Sequence, residues 1–135
     1  MPITTSWYDE DHKVISQVFK GAWTWEELTR ESAEMHRMAA SVDYNVILIS
    51  DMLETSFMPH GNVLSQGRSI MQKLPDNVTS VVIVIQSRMI EVFTNMALDM
   101  VKGLRNRIKF VRTMEEGKKA VEATLAANHA THSSS

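Results

Sequence analysis

Asp51, Glu54, Ser56, His60 and Asn62 stand within one short stretch, "DMLETSFMPHGN". Three chemistries could be assembled from these types. Ser56, His60 and Asp51 are on paper the nucleophile, base and orienter of a hydrolase. Asp51 and Glu54 could act as an acid and base pair. Together with the free backbone N–H groups of a following helix, all five could hold a small apolar or anionic ligand in a crevice at the end of a strand.

Each chemistry has a plainer counterpart. Asp51 and Asn62 are common caps, and Pro59 and Gly61 turn the chain. A nucleophile elbow is missing, because "LSQG" around Ser65 lacks its first glycine. Carboxylate pairs without a defined pocket are frequent on surfaces. No catalytic residue is therefore expected, and the five residues are retained as a candidate ligand site.

Metal and cofactor chemistry find no footing. His12, His36 and His60 fall in different elements, and "HATH", residues 129–132, has ligand-like spacing only in a polar tail. "GNVLSQGRS" lacks the lysine of a phosphate loop and does not fit a dinucleotide fingerprint. Neither a metal nor a cofactor is expected.

Composition narrows the class. The chain has 135 residues, 44% hydrophobic and 22% charged, with a net charge of -2 and no cysteine. A chain of that size can bury roughly 70% of its unfolded surface in one domain. The charge gives no general attraction to nucleic acid, and no apolar run reaches the roughly 20 residues that span a bilayer. "MPITTSWYDED" has neither a basic start nor an apolar core, and the lack of cysteine is compatible with a reducing compartment. A soluble, cytoplasmic protein is expected, with one domain over residues 1–127 and a disordered polar tail over 128–135.

The elements that must carry the loop are readable. "SWYDEDHKVISQVFKG" is a hairpin turning between Asp9 and Lys13. Thr24 and Glu27 have capping-box spacing and Trp23 can staple onto Leu28, so a helix starts there, with Trp25, Leu28, Ser32, Met35, Ala39 and Val42 on its inner stripe. "NVILIS" and "VTSVVIVIQS" are continuous apolar runs, the pattern of strands buried on both faces, and the first ends at Asp51. Between them Val63, Leu64, Gly67, Ile70, Met71 and Leu74 mark a helix that stops before Pro75. A third helix covers "RMIEVFTNMALDMVKGL", "RIKFVR" reads as a strand near an edge, and Thr113 and Glu116 open a last helix. The order β-β-α-β-α-β-α-β-α gives an α/β domain with a five-stranded mixed, mostly parallel sheet flanked by four helices.

This pattern resembles the sulphate-transporter and anti-sigma-factor-antagonist (STAS) domains, and their SpoIIAA-like relatives in particular. The resemblance covers residues 5–127 and is carried by Gly21 followed by "TWEEL", the buried strand ending in Asp51, and "VRTMEEGKKAV". It implies a protein-interaction module. Members that antagonise anti-sigma factors carry an Asp-Ser-(Ser or Thr)-Gly segment whose serine is phosphorylated. "MPHGN", residues 58–62, stands there instead, so the standard phosphoserine switch is expected to be absent.

Two further features bear on partners. Lys102, Arg105, Arg107, Lys109 and Arg112 form a basic cluster suited to an acidic partner, although helix-end and edge-strand charges account for it equally. On a helical wheel the apolar residues of Met89 to Leu104 fill roughly 240°, against about 100° for an ordinary surface helix. Met89, Phe93, Met96 and Met100 are the candidate interface. The leading expectation is a regulatory, non-enzymatic interaction module forming a homodimer or binding another protein. A ligand crevice after Asp51 is the alternative, with a hydrolase third.

Overall fold

The computed structural model describes residues 2–55 and 58–133. The chain forms β1 (Ile3–Trp7), β2 (Val14–Lys20), α1 (Trp25–Ala40), β3 (Val46–Glu54) and α2 (Val63–Gln72). It continues with β4 (Val78–Val84), α3 (Arg88–Asp99), β5 (Ile108–Val111) and α4 (Met114–Ser133). The expected fold is the one found: a five-stranded sheet with one antiparallel pair, β1 and β2, and every other pair parallel.

Local chemistry sets the hairpin. The Asp9 carboxylate accepts the backbone N–H groups of Lys13 and Val14, each at 3.0 Å, and so closes the turn. His12 takes φ +56, a left-handed conformation, and its ring stacks on Trp7 with centroids 4.5 Å apart. Register follows, with Ile3 opposite Phe19 and Trp7 opposite Ile15.

The strands lie in sequence order, β1-β2-β3-β4-β5. Parallel crossovers are right-handed, so a sheet that always advances the same way receives each crossover helix on the same face. Thus α1, α2 and α3 share one face, and α4 alone covers the other against β3, β4 and β5. Alternation along β3 serves both layers. Val46, Leu48 and Met52 enter the three-helix side, while Ile47 and Ile49 meet Val82, Val84, Ala120 and Val121 beneath α4. Both faces being covered is why these strands read as unbroken apolar runs.

Helix starts follow their caps. Thr24 Oγ1 accepts from the Glu27 N–H at 3.1 Å, and Thr113 Oγ1 accepts from the Glu116 N–H at 3.1 Å. In both cases the glutamate carboxylate receives the threonine hydroxyl, at 3.0 and 3.2 Å.

Boundaries differ in three places. β3 runs past Asp51 to Glu54, because Lys20 still pairs with Glu54 beyond a register shift in β2. α3 ends at Asp99 rather than Leu104. Its last N–H bonds tighten to the third preceding carbonyl (Met100 to Ala97, Val101 to Leu98), and Gly103 at φ +80 turns the chain into a 3-10 segment, Leu104–Arg107. α4 continues through Asn128, where the polar composition begins, to Ser133.

Candidate functional site

Three of the residues singled out by their chemistry, Asp51, Glu54 and Asn62, are engaged in local contacts. Asp51 lies within β3, and its Oδ1 accepts the Leu53 N–H at 3.1 Å. Glu54 faces Lys20 at 3.9 Å on the exposed surface. Asn62 caps α2, taking the Ser65 N–H on Oδ1 at 3.4 Å. His60 is exposed, and Ser56 lies outside the described residues.

Elsewhere among the described residues lies an apolar pocket. A cavity of about 150 Å³ lies between the three-helix face and the sheet. Met58, Val63, Ile70 and Met71 line it from the loop and α2, whereas Asp51, Glu54, His60 and Asn62 do not. Its existence follows from how α2 is held. This helix packs on α3 and α1, with Gly67 against Ala97, and none of its residues is buried. An amphipathic helix normally presses its stripe into a core. Here the stripe overlooks a void.

Phe19, Trp23 and Trp25 form one wall as a chain of edge-to-face rings, with centroids 5.3 and 5.2 Å apart. Two polar side chains interrupt the otherwise apolar floor. Gln17 of β2 and Ser50 of β3 are paired in register, 4% and 8% exposed, and both line the cavity. Gln17 Nε2 donates to Glu31 O at 3.1 Å and to Thr5 Oγ1 at 3.3 Å. No charged residue lines this space. The sequence signals were the polar residues set into "VISQVF" and "VILIS", but nothing local to either strand says that they meet.

The proposed interface residues divide. Met89, Met96 and Met100 are 50%, 45% and 44% exposed, and Val92 joins them at 55%. Phe93 is half-buried and turns to the cavity. The basic cluster is partly neutralised: Arg112 pairs with Glu91 at 2.7 Å, Arg105 pairs with Asp99, and Arg107 reaches the Val78 carbonyl.

A second cleft of about 330 Å³ separates α1 from α2, with Ser32, Ala33, His36, Gln66, Ile70 and Lys73 along it. Burial first, and then the charge of Lys73, hold the His36 imidazole below its ordinary pKa. Among the described residues no group of acidic or imidazole side chains is arranged to hold a metal ion, and no helix is long and apolar enough to cross a membrane.

Comparison with family models, with curated proteins and with solved structures finds no match.

Proposed function

We propose that the protein is a non-enzymatic cytoplasmic module that takes up a small, mainly apolar molecule beneath α2. One observation carries this reading: α2 presents its half-buried apolar stripe to a cavity of about 150 Å³, and none of its residues is fully buried. Apolar pockets with few polar groups are the usual form of small-molecule sites. In other proteins an engineered apolar cavity of about 150 Å³ stays dry and takes up benzene.

Toluene provides the test. Thermal unfolding and tryptophan fluorescence are followed as its concentration rises toward aqueous saturation. A saturable rise in Tm with a matching change in fluorescence is expected. The absence of both would sink the proposal.

A second reading, self-association, is favoured by the line Met89, Val92, Met96, Met100 along the outer side of α3. A two-fold axis through this helix would set two copies antiparallel, the usual arrangement for a self-complementary patch. The strand order and the capped "TWEEL" helix start after Gly21 support a STAS-like interaction module as the setting for such a dimer.

A further inference from the structure

We propose that Gln17 and Ser50 form a hydrogen-bonding subsite in the cavity floor, and that the ligand selected there is a small aromatic alcohol of the phenol class. This rests on the cavity reading and adds the chemistry of the occupant.

The two residues face each other across the β2–β3 register and are more than nine-tenths buried. The Gln17 amide nitrogen gives its hydrogens to Thr5 Oγ1 and Glu31 O, which orients the side chain and leaves the carbonyl oxygen as an acceptor with no donor among the described residues. The Ser50 hydroxyl likewise has no hydrogen-bond partner among them. Two further hydroxyls line the cavity from the helices, Ser32 of α1 and Thr94 of α3, and Thr94 donates to the Ile90 carbonyl at 2.7 Å. One acceptor and one hydroxyl, side by side in an apolar space, match a group that both donates and accepts.

Charged ligands do not fit, because no ionised side chain lines the space and an unpaired buried charge is costly. The edge-to-face wall of Phe19, Trp23 and Trp25 offers ring surfaces for an aromatic body. A wholly apolar ligand would make no hydrogen bond to the Gln17 carbonyl or the Ser50 hydroxyl, so it forgoes the net gain that a phenol hydroxyl obtains there.

The test is calorimetric titration of phenol and toluene into the wild-type protein, Ser50→Ala and Gln17→Met, with circular dichroism confirming that each variant is folded. Phenol is expected to lose about fivefold in affinity in Ser50→Ala, the worth of one net hydrogen bond, while toluene changes less than about twofold. Gln17→Met should show the same asymmetry, and Ser50→Ala alone suffices if Gln17→Met does not fold. Equal losses for both ligands would overturn the subsite and leave the cavity proposal standing, as would toluene binding without phenol. Binding of neither would overturn both.

Discussion

Gly67 meets Ala97 so closely that a Cβ built on Gly67 would lie 3.4 Å from the Cβ of Ala97. These small residues let α2 approach α3 closely, and that crossing holds a helix none of whose residues is fully buried. Stability of the lid and volume of the cavity are thus set partly at one contact.

Gly67→Ala fits this contact at ordinary van der Waals distance, in a helix interior with no positive φ. It should stabilise the protein by about 0.5–1 kcal/mol through helix propensity. Gly117→Ala should do the opposite. Its Cβ would fall 3.1 Å from Val84 Cγ2 and 3.4 Å from Ile49 Cδ1, and overpacking of about 1–3 kcal/mol outweighs the propensity gain. Urea unfolding of the two variants checks the contrast, and equal shifts would refute it.

Thr24→Ala and Thr113→Ala each remove a cap and should cost about 1 kcal/mol. The caps serve helices on opposite faces of the sheet, so the double variant should lose the sum to within about 0.5 kcal/mol. Chemical denaturation measures all three.

Met96→Asp should abolish a dimer and leave the circular dichroism spectrum unchanged, since the residue is exposed. Phe93→Asp should instead destabilise the monomer by more than about 2 kcal/mol, because it places a charge beside the apolar cavity. Size-exclusion chromatography with light scattering separates the outcomes. Wild-type protein that stays monomeric at high concentration, or unfolding of Met96→Asp, would remove the case for the interface.

His36 should titrate below the ordinary histidine range in an NMR pH series, and Lys73→Gln should raise its midpoint only partway, because burial is the larger cause. The sign for stability follows. The folded state holds the proton less readily than the unfolded chain, so this contribution is complete above the ordinary histidine pKa and is lost as pH falls from there through the folded value. His36→Gln should flatten that acid limb. An unshifted midpoint in the wild type would refute the cause assigned.

Much of the architecture was legible because it is local. The Thr24 cap, the Asp9 to Lys13 turn and the two unbroken apolar runs each depend on neighbours a few residues away. Asp51 ended the pattern of apolar residues but not the strand, since pairing with β2 carries the backbone on to Glu54. The apolar arc that continued to Leu104 concealed the left-handed Gly103. Gln17 and Ser50 were invisible as a pair because only the β2–β3 register, a tertiary fact, joins them. The void under α2 was equally hidden, since periodicity says which face of a helix is apolar and not how far that face stands from its neighbours.

The sequential strand order also bears on how the chain is made. No strand has to be threaded between two that are already paired, so each βα unit leaving the ribosome finds its docking edge complete. Pairings stay between neighbours in the chain, and the entropy of closing long loops is small at every step. The growing edge moves from β2 to β5 as synthesis proceeds, and α4, the last element made, then seals the opposite face of β3, β4 and β5.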